Sequence, residues 1–311
     1  MTFGEYWPIY KAQKKGFVKD TTIAAYTLIW DSQLSRHFND VDMNAIKNSI
    51  LQDYVNNKVG EGLSVSTVQD HISVVKNMIK HWRLSQDRPM LAFGIVWPTK
   101  SVNASQPREK YTDKELATLI EHCKNSDSHF CKVVALGAMA GLRIGELCGL
   151  QFGDFDFESS IVSVRRTVGR LYLGKDRTAL FVNPPKCGAS ERRVPIPSWL
   201  NQYFKRYQRL YNTDNETYIN RTLQSTGAVR MPFVEPRVFR SQYKALCAEV
   251  GIPYRTFHSL RHTYASRLLQ AKVDIRTVAE LLGHSDVQTT LNIYAHSDDG
   301  AKKSAAKKVF M

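Results

Sequence analysis

Apolar residues recur every three or four positions through most of the first hundred residues, which is the period of an amphipathic α-helix. The segments that carry this pattern are EYWPIYKAQ, TIAAYTLIWDSQLSRHF, MNAIKNSILQDYV and STVQDHISVVKNMIKHWRL. Ser66 followed by Gln69 predicts a capping box at the start of the last segment. We therefore expect a compact all-helical domain of four or five helices over residues 1–96.

The helical periodicity stops in the stretch VWPTKSVNASQPREKYTDKE. Pro98, Pro107 and a mixture of polar residues interrupt the pattern there, as is typical of a linker. Thr112 followed by Glu115 then predicts the capped start of a new helix. We expect a linker over residues 97–111 and a second domain over residues 112–311.

The periodicity of the second domain changes from helical to alternating and back. Its helical segments are TDKELATLIEHC and SHFCKVVALGAMA, and later SWLNQYFKRYQRL, EPRVFRSQYKALCAEV, HSLRHTYASRLLQAK and DIRTVAELLG. Between them, DFDFESSIVSVRRTV and TALFVNPPKCGASERRVPIP predict a small antiparallel sheet, including a hairpin whose turn is KCGASE. The predicted fold class is mainly α with a small antiparallel β-sheet, in a helical domain followed by a mixed α+β domain.

Charge indicates a polyanionic partner. The 311 residues carry a formal net charge of +14, and 43% of them are hydrophobic, which is typical of a folded protein. Most of the positive excess falls in the second predicted domain. Lysine and arginine on a folded surface bind nucleic acid by neutralising its phosphates. The alternative is a basic protein that its charge only keeps in solution.

Cysteine usage and hydropathy predict a cytoplasmic, DNA-associated protein with no membrane partner. The five cysteines, Cys123, Cys131, Cys148, Cys187 and Cys247, match neither a CxxC metal site nor a disulfide framework. The N-terminus lacks a signal-peptide pattern. The longest apolar run, VVALGAMAGL, is about half of the ~20 residues that cross a bilayer.

The stretch FHSLRHTYASRLL places polar side chains on one face at a helix start. His258 is three residues from Arg261 and four from His262, so a helix brings all three within one turn. The backbone N–H groups and the dipole of a helix start also favour an anion, which predicts a phosphate site. A zinc site is disfavoured, because no acid stands between the histidines where a metalloprotease has its base. A purely structural role is the other alternative, above all for His262.

Two further basic residues are candidates for the same chemistry. Arg143 in GLRIGELCGL opens a helix after a glycine turn, where its guanidinium could bind a phosphate by forked hydrogen bonds. An ion pair between Arg143 and Glu146 is the competing interpretation. Lys186, within VNPPKCGASERRVPIP, could reach a DNA groove and donate a proton to a leaving oxygen, although exposed turn lysines are common.

Together these motifs resemble the tyrosine recombinase, or phage integrase, family. The resemblance rests on Arg143 in GLRIGEL, Lys186 on a hairpin, His258 and Arg261 in HSLRH, His284 in LLGHSDVQTT and Tyr294 in YAH, in the family's order and approximate spacing. It covers the chain from about residue 110 to the end. The helical first domain resembles the family's core-binding, SAM-like domain.

The resemblance implies a mechanism with no metal, ATP or other cofactor. Tyr294 is implied as the nucleophile that forms a 3′-phosphotyrosine, and Lys186 as the general acid for the leaving 5′-oxygen. His258 is implied as the general base toward Tyr294. The remaining implied residues are Arg143 and Arg261 on the non-bridging oxygens, His284 as a hydrogen-bond donor to the phosphate, and Glu146 in a supporting role.

The sequence also departs from the family pattern. PPKCGASERR differs from the commoner PKTKxSxR form, although Lys186 keeps its place before Ser190 and Arg192. Arg192 and Arg193 are expected to act only as DNA contacts. Because the helical pattern begins within a few residues of Met1, an additional arm-binding domain is expected to be absent, which favours simple core sites.

The resemblance implies double-stranded DNA as partner and a homotetramer on two DNA sites, with accessory DNA-bending or directionality proteins as further candidates. The tail at about residues 298–311 either passes to a neighbouring subunit or touches DNA. The implied function is site-specific recombination, by integration or excision, inversion or resolution. The alternatives are a non-catalytic DNA-binding protein of the same fold and a relaxing enzyme similar to type IB topoisomerases.

Overall fold

The computed structural model describes residues 1–98, 109–183, 191–223, 229–284, 287–288 and 291. The chain divides into two compact units. The first comprises Met1–Arg108 with Arg170–Leu180, and the second comprises Glu109–Gly169 with Phe181–Met311. Within the described residues, no helix is both long and apolar enough to span a membrane.

The secondary structure of the first unit up to residue 85 is helical, as predicted, and residues 86–98 form no helix. The helices are α1 (Phe3–Lys14), α2 (Asp20–Ile29), α3 (Ser35–Phe38), α4 (Asn48–Gly60) and α5 (Val65–Ser85), with a π-helical turn at Trp30–Leu34 between α2 and α3. Aromatic side chains dominate their shared core, in which Trp7 stacks on Trp30 with 5.0 Å between the ring centroids. Burial of such large rings supplies much of the hydrophobic stabilisation of a small helical unit.

Two predicted helix starts are wrong. Helix α4 begins at Asn48 rather than near Met43, because the Asp42 carboxylate accepts the backbone N–H of Asn44 at 2.7 Å and holds a turn there. Helix α5 begins two residues earlier than the predicted capping box at Ser66. Its N-cap is Ser64, whose Oγ accepts the backbone N–H of Thr67 at 3.2 Å.

The second unit is mainly helical with short strands, which confirms the predicted fold class. Its helices are α6 (Asp113–Asn125), α7 (His129–Met139), α8 (Ile144–Gly149), α9 (Ser198–Leu210), α10 (Pro236–Val250), α11 (Phe257–Gln270) and α12 (Ile275–Leu282). The capping box predicted at the start of α6 is confirmed. Thr112 Oγ1 accepts the N–H of Glu115 at 3.2 Å, and Glu115 Oε2 accepts the N–H of Thr112 at 2.8 Å.

The strands pair differently from the prediction. Strands β1 (Phe155–Asp156), β2 (Ile161–Val164) and β5 (Arg192–Pro195) form an antiparallel sheet in that order. Strand β3 (Thr167–Gly174) pairs with β4 (Arg177–Asn183), and β6 (Thr222–Leu223) with β7 (Val229–Met231).

The predicted hairpin with the turn KCGASE is therefore wrong, because β4 pairs with β3, and β5 pairs with β2. The turn of the observed hairpin consists of Lys175 and Asp176, whose φ angles are 49° and 58°. Two consecutive residues of positive φ match the twist of the strands that they join. Gly174, at a φ of 88°, stands directly before this pair, and glycine and aspartate are both preferred in turns, so the sequence carried a turn signal here that the prediction did not use.

The α6 capping box yields a stability prediction. We expect Thr112→Ala to lower the stability of the second unit by about 1 kcal/mol, because the backbone N–H of Glu115 loses its acceptor. In calorimetry, the melting transition of this unit should fall by about 2–4 °C. Thr118→Ala, at an exposed position within the same helix, is the matched control and should leave the transition close to wild type. Equal shifts in both variants would contradict the capping role.

Candidate active site

The site begins at the turn between α7 and α8. Gly141 adopts a φ of 60°, and Arg143 is the N-cap residue of α8. Glu146 binds Arg143 twice: Oε2 accepts the Arg143 backbone N–H at 2.8 Å, and Oε1 accepts Nη1 of its guanidinium at 2.7 Å. The Glu146 residue is 5% exposed, whereas 39% of the Arg143 side chain remains exposed. Arg143 thus forms the ion pair with Glu146 and still exposes part of its side chain.

Arg192, the first residue of β5, binds the same carboxylate. Its Nη1 donates to Glu146 Oε1 at 3.0 Å and its Nη2 donates to Oε2 at 2.8 Å. Its Nε donates to the carbonyl of Leu281 at 2.7 Å. Arg192 is 7% exposed and all three of its guanidinium nitrogens bind protein acceptors, so the structure gives it an internal ion pair in place of the expected DNA contact. Arg193 points the other way, is exposed and pairs with Asp156 at 3.1 Å.

Arg261 on α11 is the third arginine of the cluster. It is 2% exposed, and its Nη1 lies 4.0 Å from Glu146 Oε2. Nη1 donates to the carbonyl of Gly141 at 2.8 Å, and Nη2 donates to the carbonyl of Leu282. Burial, followed by the charge of Arg143, lowers the pKa of Arg261 to about 9. The low pKa records crowding of positive charge in this site.

The C-terminus of α12 binds all three guanidinium groups. Its last carbonyls accept hydrogen bonds from Arg192 at Leu281, from Arg143 and Arg261 at Leu282, and from Arg143 at Gly283. A helix C-terminus carries unsatisfied carbonyls and partial negative charge, so it attracts cations. Gly283 has a φ of 65°, and a Cβ there would lie 2.9 Å from Nη1 of Arg192. A glycine is therefore required at this helix end.

His284 follows this glycine directly. Its backbone N–H donates to the carbonyl of Ala279 at 3.0 Å, and this bond fixes the position of the His284 backbone directly after α12. Burial, followed by the charges of Arg261, Arg143 and Arg192, lowers the pKa of His284 to about 4. His284 is therefore neutral near pH 7 and can donate one hydrogen bond without adding charge.

His258 lies at the second position of α11 and is exposed. Its ring is 4.5 Å from that of His262, in an edge-to-face contact. The structure thus places Arg143, Glu146, Arg261 and His284 together, with His258 one turn before Arg261 on the same helix. Lys186 and Tyr294 lie outside the described residues. Among the described residues, no group of three or more His, Cys, Asp or Glu side chains could hold a metal ion.

The charges of the cluster do not balance. Burial alone would raise the pKa of Glu146, but hydrogen bonds and charge from Arg192, followed by the charge of Arg143, lower it to about 2. Glu146 is therefore ionised at every pH at which the protein would work. One carboxylate faces three guanidinium groups, so the cluster has a surplus of positive charge. A phosphodiester that meets the exposed Arg143 side chain would offset that surplus.

Comparison with known proteins decides the family. The model of the phage integrase family matches residues 109–301, and that of the phage integrase N-terminal SAM-like domain matches residues 2–59. The chain belongs to the phage integrase family. Membership in this family of recombinases supports site-specific DNA recombination as its general activity and implies DNA strand transfer. The predicted pairing of a SAM-like helical domain with a catalytic domain is confirmed.

Relatives of known structure or function agree with this assignment. A tyrosine recombinase XerC-like protein of Caldanaerobacter subterraneus subsp. tengcongensis is 30% identical over 287 residues, which cover 84% of this chain and 70% of that protein. The Tn1549 transposon integrase, solved in complex with a circular intermediate DNA, has a TM-score of 0.78 at 18% identity over 99% of both chains. A lambda integrase tetramer bound to a Holliday junction has a TM-score of 0.63 at 14% identity, covering 94% of this chain and 77% of that chain. At these identities the two structures establish the fold alone.

The shared carboxylate predicts the effect of removing one charge. We expect Glu146→Gln to destabilise this integrase-family unit by about 3–5 kcal/mol, because Arg192 and Arg261 would remain buried without their counter-charge. Urea unfolding of the second unit measures the change. Glu158→Gln is the control, since its ion pair with Lys205 is similarly short at 2.9 Å but the glutamate is 89% exposed. A loss no larger than that of the control would contradict the buried network.

The low pKa of Glu146 also predicts a pH dependence. The group is ionised more readily in the folded chain, at about 2, than in the unfolded chain, at about 4.3. Its stabilisation is therefore complete above the unfolded pKa and is lost as the pH falls through the folded one. We expect the stability difference between wild type and Glu146→Gln to be constant near neutrality and to shrink in acid. A difference that widens on acidification would contradict this assignment.

Proposed function

We propose that the protein is a site-specific DNA recombinase that cuts and rejoins strands through a 3′-phosphotyrosine intermediate, without metal or ATP. Integration or excision, inversion and resolution are all products of this one reaction on differently arranged sites. Family membership supports the general activity. The proposal for the chemistry rests on one observation: Arg143 and Arg261, from different helices, meet at a single carboxylate beside His284.

The two arginines are proposed to bind the non-bridging oxygens of the scissile phosphate. Arg143 is the more exposed and presents its guanidinium at the start of α8. Arg261 uses two of its five N–H groups on the carbonyls of Gly141 and Leu282, so further donors remain for an anion. Charge that builds up on a five-coordinate phosphorus is stabilised best by donors that are already fixed in place.

His284 is proposed as a neutral hydrogen-bond donor to the same phosphate. A charged imidazole next to three arginines would be strongly unfavourable, and its low pKa is consistent with that. A neutral ring donates from one nitrogen and accepts at the other. His284 can therefore orient the phosphate while the arginines supply the charge.

Tyr294 is proposed as the nucleophile, with His258 as its base. The phenol oxygen forms a bond to phosphorus and the bond from phosphorus to the 5′-oxygen breaks, so the phosphodiester energy is kept in the protein–DNA link. A phenol with an ordinary pKa near ~10 is almost wholly protonated at pH 7 and needs a base. His258 would accept the phenol proton. Its exposed position at the start of α11 leaves it accessible to such a partner.

Lys186 is proposed as the general acid that protonates the departing 5′-oxygen. It lies in the segment that joins β4 to β5, and β5 begins at the buried Arg192. General acid or base catalysis of this kind contributes about 10²- to 10⁴-fold in rate. Strand rejoining reverses the same steps, with a 5′-hydroxyl as the nucleophile.

The proposed partner is double-stranded DNA carrying a specific recombination site. The formal net charge of +14 fits a phosphate backbone, and the Tn1549 and lambda integrases of similar fold were solved with DNA. Exchange of four strands needs four active sites, so we propose a homotetramer on two sites, as in the lambda integrase complex. The two domains, proposed at residues 1–96 and 112–311 with a linker at 97–111, would grip the duplex. Accessory DNA-bending or directionality proteins remain candidate partners.

A suicide-substrate selection tests the chemistry and finds the target together. Wild-type protein is incubated in EDTA with a pool of duplexes that carry a randomised core and a nick beside it. Cleavage near the nick releases a short fragment that diffuses away, so the covalent adduct accumulates and its DNA can be sequenced. We expect an adduct with wild type and none with Tyr294→Phe, because only the attacking hydroxyl is removed. Tyr211→Phe, at a tyrosine 54% exposed after α9, is the matched control and should form the adduct.

Each alternative function predicts a different result. A protein that selects a DNA sequence and never forms an adduct would be a non-catalytic DNA-binding protein, which contradicts the proposal. An adduct that requires a divalent metal would contradict the metal-free mechanism. With the selected duplex in hand, joining of two sites supports a recombinase, whereas relaxation of supercoiled plasmid without joining supports a relaxing enzyme similar to type IB topoisomerases.

A further inference from the structure

Arg192 is a buried arginine that the proposed chemistry does not use. All three of its guanidinium nitrogens donate to protein acceptors within 3.0 Å: two to Glu146 and one to the carbonyl of Leu281. The residue is 7% exposed, and its guanidinium group is thus bound at every nitrogen by the protein itself, two of them by a carboxylate. By contrast, 39% of the Arg143 side chain is exposed. Arg192 can therefore act on the site only indirectly, through Glu146 and the carbonyl of Leu281, to which it is hydrogen-bonded.

The carboxylate that Arg192 holds is the one that orients Arg143. Glu146 Oε1 accepts from both Arg192 and Arg143, and Glu146 Oε2 accepts from Arg192 and from the Arg143 backbone. A bidentate guanidinium fixes the plane of a carboxylate. Fixing that plane also fixes the direction in which Oε1 receives Nη1 of Arg143.

Arg192 is also related to two segments that carry other proposed groups, to one by sequence and to the other by a hydrogen bond. It begins β5, six positions after Lys186 in the sequence, and its backbone pairs with Val164 on β2. Its Nε bond to Leu281 fixes the end of α12, whose next carbonyls bind Arg143 and Arg261, and which His284 follows. Arg192 thus follows the Lys186 segment in the sequence, and its side chain binds the end of the helix that His284 follows.

We propose that Arg192 is a positioning residue for DNA cleavage that acts on Arg143 through Glu146. This inference rests on the proposed function, since it concerns the rate of the same cleavage step. Arg192 fixes Glu146 as an ionised, oriented acceptor, and Glu146 in turn fixes the arginine that meets the phosphate. Arg192 itself touches neither DNA nor the reacting atoms.

Substitution of Arg192 should separate cleavage from DNA binding. Arg192→Lys keeps the positive charge but loses the bidentate hydrogen bonds to Glu146. We expect it to lower the cleavage rate by about 10- to 100-fold, which is the range expected when a catalytic group is slightly misplaced. DNA affinity should stay close to wild type. Arg276→Lys is the matched control, because Arg276 also pairs with a glutamate but is 86% exposed on α12. The substrate is the nicked duplex recovered from the adduct selection.

A double variant tests the route through Glu146. If Arg192 acts through this carboxylate, Arg192→Met combined with Glu146→Gln should cleave no more slowly than the slower single variant. Arg192→Met leaves Glu146 paired with Arg143 and close to Arg261, whereas the double variant leaves Arg261 buried without its carboxylate, so the stability of each variant must be measured beside its cleavage rate. Thermal unfolding of each variant identifies loss of the folded state.

The pH profile gives a readout that a purely structural role would not change. The charged groups that face Glu146 are Arg143 from α8, Arg192 from β5 and Arg261 from α11, whereas α12 contributes backbone carbonyls and the neutral His284 follows it. Burial raises the pKa of Glu146 and Arg192 contributes most to lowering it, so the pKa of this carboxyl should be higher in Arg192→Met than in wild type. Cleavage by Arg192→Met should then fall on mild acidification where wild-type cleavage does not, and the double variant should lack this extra acid limb.

The outcomes are distinct. A positioning role is supported by three results together: Arg192→Lys loses cleavage but keeps DNA binding, the effects of the two substitutions in the double variant are not multiplicative, and cleavage by Arg192→Met falls on mild acidification. Wild-type rates in Arg192→Lys, equal losses of binding and cleavage, or multiplicative effects in the double variant would overturn it while leaving the recombinase proposal intact. Absence of any wild-type adduct would instead refute the proposed function, and this inference with it.

Discussion

The second unit depends on one buried carboxylate that three arginines share at the end of a helix. Glu146 would be unfavourable in its site without them, since burial by itself raises its pKa. The buried Arg192 and Arg261 would likewise be unfavourable without Glu146 and the carbonyls that end α12. Each member therefore requires the others, and the network forms only when α8, β5, α11 and α12 have all folded around it.

This mutual requirement explains how residues distant in sequence come to act at one place. A hydrophobic core would tolerate small shifts between packed helices, because apolar contacts have no direction. Forked hydrogen bonds between guanidinium and carboxylate groups do have direction, and they lose strength when their angle changes. The charged cluster thus sets the relative positions of its helices more tightly than packing alone, which suits the phosphate site proposed for it.

The sequence predicted most of the helices and the residues of the cluster, but not how they connect. Helical periodicity was sufficient because each amphipathic helix is a local pattern, and Thr112 with Glu115 marked a cap by local chemistry. Strand pairing is not local: the hairpin was misplaced because β5 pairs with β2, from which it is distant in sequence, and not with the preceding strand β4. Arg192 was mistaken for a DNA contact because arginine is usually exposed. The alternation of Arg192, Arg193 and Val194, in which the valine must be buried, was the one clue that Arg192 faces inward.

Burial of so much positive charge has a consequence for when the site is complete. Arg261 and His284 both have lowered pKa values, and in each case burial is the first cause and neighbouring arginines are the second. Glu146, which three cations share, and the carbonyls that end α12 offset this repulsion in part, and a bound anion would offset it further. A DNA phosphate would therefore be bound partly because it stabilises the folded site. Burial and the same repulsion keep His284 neutral, so in the proposed reaction the charge offered to the transition state would come from arginines whose protonation does not change near neutral pH.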